Sequence, residues 1–163
     1  MAENFQITEE MQALVGWESA PWDFEVTATS VRAFARGVGY TDLVYYDVEA
    51  AKAAGYRDLP APPSYLGTAI FIPGRSDEYL PFPPGYSPPL DHGLLGLLDG
   101  GTETEYFEDI CAGDTLTCVN KLASLATKES KGLGTMLIMG TEAAYTNQNG
   151  KVAAIQRSQV ILY

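Results

Sequence analysis

From Ser64 to Ile72 the chain reads SYLGTAIFI, apolar on nearly every side, and no other stretch constrains the fold as much. A helix of that kind cannot lie on a surface; it has to be buried all round. Immediately afterwards the sequence changes character. Pro73 to Pro89, PGRSDEYLPFPPGYSPP, holds six prolines and two glycines, so it can be neither a helix interior nor a central strand. Long loops inside compact domains are usually functional lids or linkers. Leading into the apolar stretch, Leu59–Pro63 (LPAPP) reads as a stiff extended segment. Pro63 suits the first helical position, where its missing N–H is no loss.

Something must wrap the buried helix, and the second half of the chain supplies it. After His92 the pattern is one of strands: Leu94–Leu98, a Gly100-Gly101 break, Thr102–Phe107, Thr115–Leu125, Met136–Tyr145 and Val152–Leu162. Asn147-Gln148-Asn149-Gly150 between the last two is a hairpin signal, because Asn-Gly tolerates positive φ. The first half reads mostly as short helices. Thr8–Val15 carries Glu9 and Glu10 in its first turn, which complements the helix dipole. Asp23–Thr27 alternates like a strand. Thr29 or Ser30 can cap a helix through Val31, Phe34, Ala35 and Val38 that ends at Gly37 or Gly39. Asp47 caps another that runs to Ala54 and stops at Gly55. The expected class is α+β: an antiparallel sheet wrapped around one helix.

The 163 residues fit one domain spanning residues 1–163, since domains cluster at about 100–150 residues. Ten Lys+Arg against twenty-one Asp+Glu leave a net charge of −11. Nucleic-acid and anionic-lipid binding both need clustered cations, so neither is expected. Cys111 and Cys118 are too few for a disulfide framework and form no C-x-x-C pair, so no metal site is expected from them. MAENFQITEE lacks the basic and apolar regions of a secretion signal, and no apolar run approaches the roughly 20 residues that span a bilayer. The expected setting is soluble, reducing and cytoplasmic.

Few residues carry obvious chemistry. There is no G-x-S-x-G elbow, no phosphate loop and no H-E-x-x-H. His92, the one histidine, is either structural or a ligand contact or general base. The other polar cluster is Tyr40–Asp47, YTDLVYYD. In it Asp47 reads as a helix cap, and Asp42 reads either as a turn cap or, with Tyr45, as an acid–base pair.

Three segments carry a resemblance. Gly39-Tyr-Thr-Asp42-Leu-Val-Tyr45-Tyr-Asp47, continuing through Gly55-Tyr56-Arg-Asp-Leu to Ala61-Pro-Pro-Ser-Tyr65, is the first. Gly100-Gly101-x-x-x-Glu105-Tyr-Phe107-x-x-Ile110 to Gly113-Asp114-Thr115-Leu116 is the second, and the closing Arg157–Tyr163 the third. Together they resemble the MaoC-like hotdog dehydratases and (R)-specific enoyl-CoA hydratases, most of all the amino-terminal, FAS1-like dehydratase branch. The resemblance implies a hotdog fold and water addition or elimination on a coenzyme A or acyl-carrier thioester, without metal or redox cofactor.

Catalytic members of that family carry G-D-x-N-P-x-H, whose Asp and His move the protons. Here Gly39 matches the Gly, while Tyr40 stands at the Asp, Asp42 at the Asn and Tyr45 at the His. A phenol of ordinary pKa near 10 is a poor base at neutral pH. Asp42, Tyr45 and His92 are therefore the candidate proton-transfer residues if the chain acts alone. In the family a helix amino terminus holds the thioester carbonyl; here that terminus is Ala61-Pro62-Pro63-Ser64. The two prolines offer no N–H, which makes Ser64 and Tyr65 the first donors. Tyr40, Tyr46, Pro63, Ser64, Tyr65 and Gly67 are the expected substrate contacts. The implied state is a homo- or hetero-oligomer with another hotdog subunit, and the implied role a subunit that shapes the acyl pocket beside a catalytic hotdog partner. The alternatives are a self-sufficient hydratase using Asp42 and Tyr45, a hotdog thioesterase, and a non-catalytic thioester-binding domain. Residues Tyr65–Ile72 lack the carboxylate that many such thioesterases place on the central helix.

Overall fold

Five antiparallel strands build one sheet in the order β1-β3-β4-β5-β2. They are β1 (Trp22–Glu25), β2 (Leu97–Tyr106), β3 (Thr115–Ser130), β4 (Gly134–Asn147) and β5 (Val152–Leu162), and the helices are α1 (Glu9–Ala13), α2 (Ala28–Gly37) and α3 (Val48–Ala53). The computed structural model describes residues 5–67 and 85–163. The expected helix is met only at its start, as a 3₁₀ turn at Tyr65–Gly67; its remaining residues and most of the proline-rich segment lie outside the described residues. The class is α+β, as expected.

Period-two alternation builds the sheet. Leu116, Cys118, Asn120 and Leu122 of β3 are buried between more exposed neighbours, and Ala143 and Tyr145 of β4 join them on the inner face. Val31, Ala51, Leu59, Tyr65 and Leu66 pack against that face as one cluster. Complete burial of Leu59, Leu116 and Leu122 stabilises the fold by about 1.5–3 kcal/mol each. A second cluster at the other end of the sheet joins Met11 of α1 to Leu137 and Leu162.

Several sequence expectations shift in detail. Helix α2 begins earlier than Thr29 or Ser30, because Thr27 is its cap. The Thr27 side chain accepts from the Ser30 N–H, and the Ser30 side chain accepts from the Thr27 N–H in return, a reciprocal capping box. The two strands expected on either side of Gly100-Gly101 are one strand. The glycines form a bulge: the register shifts between Asp99 and Gly101, Gly101 takes φ +112, and the Asp99 carboxylate accepts its N–H at 2.8 Å. Pro63 does not open a helix, because Ser64 follows it at φ +69, outside helical space. Other expectations hold closely. Asp47 caps α3 by accepting from the Ala50 N–H at 2.8 Å, and Gly150 closes the β4–β5 hairpin at φ +75.

Asp114 ties the pieces together. It is buried, and its carboxylate pairs with Arg57, which follows α3. It also accepts from the Cys111 N–H at 2.9 Å and from the Gln148 side chain in the β4–β5 turn at 2.9 Å. Its own carbonyl accepts from the Val26 N–H at the end of β1 at 2.8 Å. Asp114→Ala should cost about 1–3 kcal/mol, since buried donors lose their acceptor. Glu108→Ala breaks only the exposed pair with Lys151 and should cost less than about 1 kcal/mol. Urea or thermal melts compare the two; equal losses would contradict this role for Asp114.

Both cysteines are buried thiols, and burial pushes Cys118 up to about 12. A raised folded-state value means that the native chain holds this proton more tightly than the unfolded one. The stability linked to it is whole below pH of about 9 and drains as pH rises toward about 12. A thiol reagent at pH near 8 should therefore label Cys118 only as the protein unfolds. Cys118→Ala should flatten part of the alkaline decline in urea midpoint. Rapid labelling of native protein would contradict the burial.

Candidate functional site

Gly39, at φ +82, ends α2 and turns the chain into the Tyr40–Asp47 segment. Asp42 there caps the 3₁₀ turn Leu43–Tyr45, accepting from the Val44 N–H at 3.1 Å. The Tyr40 and Tyr45 rings stack at 5.5 Å and 24°. The Tyr46 hydroxyl donates to the Tyr40 carbonyl, while Arg32 Nε donates to the Tyr46 carbonyl at 3.0 Å. Asp42 and the Tyr46 hydroxyl are thus engaged in holding the segment's own shape.

With Tyr56, Pro60, Ala61, Pro63 and Tyr106, Tyr45 lines a cleft of about 200 Å³. Asp42 is not among the lining residues. A second cleft, of about 520 Å³, adjoins it across Pro63 and Tyr106 and is bounded by Phe34, Ser64, Thr102, Thr104 and Gln156. Burial raises the Tyr45 phenol above its ordinary range, and the neighbouring Tyr40, Tyr56 and Asp42 push it further the same way. At neutral pH this phenol can donate a hydrogen bond; it is not a base. Burial likewise raises Tyr106, partly offset by the Ser64 backbone beside it.

Pro63 lines both clefts and Ser64 the larger one, at the start of the turn that carries Tyr65 and Leu66 into the core. Ser64 is in the left-handed region, a conformation that costs a residue with a Cβ about 1–2 kcal/mol. The turn is held from both sides. The Tyr65 N–H donates to the Pro62 carbonyl at 3.0 Å. Its hydroxyl lies 2.7 Å from Ser30 Oγ, and its ring meets Phe34 edge-on at 5.6 Å. From below, the Tyr145 hydroxyl donates to the Leu66 carbonyl at 3.4 Å. Of the two amides expected as first donors, that of Tyr65 is already used. Tyr65 itself is buried among core residues. Pro63 and Ser64 do line the clefts; Gly67 ends the described part of this segment.

His92 sits elsewhere. It precedes the first residue of β2 and lines neither of the two clefts. Its Nδ1 accepts from the Leu94 N–H at 3.0 Å, next to the second apolar cluster. The structure therefore does not bring His92 to Asp42 and Tyr45. Among the described residues no three His, Cys, Asp or Glu side chains come together as a metal site, and no helix is long and apolar enough to cross a membrane. Thr102, Thr104 and Tyr106 were not legible as site residues. Their alternation on β2 puts them on one face, but only the fold reveals that Phe34, Ser64 and Gln156 oppose them.

Comparison with known proteins agrees with this architecture. The pattern of the FAS1-like dehydratase domain region matches residues 13–156. A UPF0336 protein of Parafrankia sp. (strain EAN1pec) is 36% identical over 132 residues, covering 80% of this chain and 79% of that protein. A probable enoyl-CoA hydratase alpha subunit of Thermomonospora curvata is 26% identical over 146 residues; the match spans 85% of this chain but 45% of that subunit. The crystal structure of the C-terminally truncated HadBC (3R-hydroxyacyl-ACP dehydratase) complex of Mycobacterium tuberculosis superposes with a TM-score of 0.71 at 20% identity, over 96% of this chain and 99% of its own. That likeness shows the hotdog fold. With Tyr65 and Leu66 buried against the inner face of the sheet and the family pattern covering most of its length, the chain belongs to the family of the FAS1-like dehydratase domain region.

Proposed function

We propose that this chain is a non-catalytic subunit of a 3-hydroxyacyl-thioester dehydratase or enoyl-CoA hydratase, and that it shapes the acyl pocket beside a catalytic hotdog partner. One observation carries the reading. Tyr40 and Tyr45, at the family's proton-transfer positions, stack on each other and the Tyr45 phenol is held protonated, while Asp42, at the Asn position, caps a turn. Further support comes from the proteins it resembles: HadBC is a 3R-hydroxyacyl-ACP dehydratase complex, and the Thermomonospora curvata relative is a probable enoyl-CoA hydratase alpha subunit. The substrate is a coenzyme A or acyl-carrier thioester. The chemistry needs only acid–base groups and a polarised carbonyl, and this chain supplies a wall rather than those groups.

Co-purification from the native host, or co-expression with neighbouring reading frames, yields the complex to be tested. In it Asp42→Asn and Tyr45→Phe should leave turnover of an enoyl-CoA panel within about threefold, the scale of substitutions away from reacting atoms. Asn caps as well as Asp, so Asp42→Asn should also leave the fold unchanged. A loss of about 10²–10⁴ from Asp42→Asn with intact circular dichroism is the range for a positioned acid or base, and it would make this loop the active site. Release of free thiol instead of hydration would move the assignment to a thioesterase.

Bulk in the larger cleft is the positive counterpart. Thr104 lines it and accepts from the Gln156 side chain at 3.2 Å. Thr104→Phe should raise KM for long-chain substrates more than for short ones and leave kcat on the shortest nearly unchanged. A uniform fall in kcat for every chain length would contradict a pocket-wall role.

A further inference from the structure

Two apolar clusters pack against the sheet, one around Leu116, Cys118 and Tyr145, the other around Leu137 and Leu162. Between them the register sets polar residues. Asn120 lies opposite Ala143, and Ala143 opposite Gln156; in the next row Leu122 faces Thr141, and Thr141 faces Ser158. Leu122 is fully buried on the inner face, so Thr141 and Ser158 share that face. Here a cavity of about 210 Å³ opens between β3, β4 and β5 and the Tyr86–Pro88 segment. Asn120, itself buried, ties that segment to the sheet: its side-chain amide donates to the Tyr86 carbonyl at 3.1 Å. Trp17 and Met139 add apolar wall.

Two hydroxyls in this cavity have hydrogen-bonding capacity to spare. That of Thr141 has no partner among the described residues. Ser158 Oγ lies 3.0 Å from Thr102 Oγ1, and a hydroxyl that makes one such bond can still accept another. Lys121 also lines the cavity, but its register sets it opposite Glu142 on the other face, so the polar side chains on the inner face here are neutral. An alkyl chain drawn over the two hydroxyls would displace their water and return no bond, which is unfavourable. An oxygen atom in the same place would replace the bonds of that water. Ser158 lines this cavity and Thr102 the larger cleft, so the two are neighbours across the hydroxyl pair. Along β5, Ser158 lies four residues beyond Ala154, the partner of cleft-lining Tyr106, a run of about 13 Å. An acyl group whose thioester lies near Tyr106 would therefore meet these hydroxyls well beyond its reacting carbons.

We propose that this cavity receives an oxygen atom carried partway along the acyl group, so that the substrate is an oxygenated acyl thioester, with a hydroxyl, keto or ether oxygen remote from the thioester, and not a plain alkyl one. Thr141 and Ser158 are the specificity-determining residues. This rests on the proposed subunit role and names the substrate class of the same pocket.

The complex with the catalytic partner is titrated calorimetrically with dodecanoyl-CoA and with its monohydroxy isomers, the hydroxyl placed in turn from mid-chain to the terminal carbon. These saturated ligands bind without reacting. At least one isomer should bind about tenfold more tightly than dodecanoyl-CoA, the scale of one added hydrogen bond. The Thr141→Val/Ser158→Ala double variant should abolish that ratio, and Thr141→Val alone should lower it at least about threefold. The single variant decides the matter if the double one does not fold, because the Thr141 hydroxyl has no bond to a described residue to lose. A ratio near one for every isomer, as a cavity that holds only water would give, would overturn the proposal. So would a preference that survives in the variant measured. Neither result touches the subunit role. Failure of every one of these ligands to bind the complex would overturn that role and the proposal together, whereas hydration of enoyl-CoA by the chain alone would overturn the role without moving the ratio.

Discussion

Asp114 is the group on which the architecture turns. The segment after β2 must reverse into β3, the extended LPAPP segment must run alongside that reversal, and the β4–β5 turn must close over both. One buried carboxylate satisfies Arg57, the Cys111 N–H and the Gln148 side chain together. With that point fixed, Ala61 donates to the Ile110 carbonyl at 2.7 Å and Ala112 to the Leu59 carbonyl at 2.9 Å. Those bonds set where Pro62–Gly67 enters the inner face, and hence where both clefts form. A buried charge is favourable only when its hydrogen bonds are complete; here the completeness brings sequence-distant segments to one place.

The entry segment then carries a local cost. Ser64 is left-handed because Pro62 and Pro63 fix the approach while the Tyr65 ring is drawn into the core against Phe34 and the Ser30 hydroxyl. The strain positions the rim of the clefts, and the surrounding contacts sustain it. It also uses the Tyr65 amide within the turn. A carbonyl-binding helix terminus is correspondingly poorer here than the family pattern implies, in line with a subunit that frames a pocket and leaves the chemistry to another.

Much of the fold was legible in the sequence because short-range physics governs it. Strand alternation in β3 to β5, the Asn147–Gly150 turn and the Asp47 cap each depend on neighbouring residues. What stayed illegible depends on tertiary placement. Thr27 could be read as strand until Ser30 completed its capping box, and Gly100-Gly101 reads equally as a break or as a bulge until β5 lies beside it. The site divides the same way. Tyr45 and Pro63, named from the family pattern, line a cleft, whereas Asp42 caps a turn and neither it nor His92 lines either cleft. No local signal separates a capping Asp from a reacting one. Tyr106, the residue shared by both clefts with Pro63, needed the sheet register to be noticed.

The most direct measurement is a single-turnover assay of the purified chain in stoichiometric excess over a short-chain enoyl-CoA, following loss of the conjugated enoyl absorbance. Excess protein makes even slow chemistry visible and removes product release from the readout. Without a base at the Tyr40–Asp47 segment, the enoyl-CoA should disappear no faster than in buffer, and the rate should rise only when a catalytic hotdog subunit is added. Hydration by this chain alone, at a rate that falls with Asp42→Asn or Tyr45→Phe, would contradict the account.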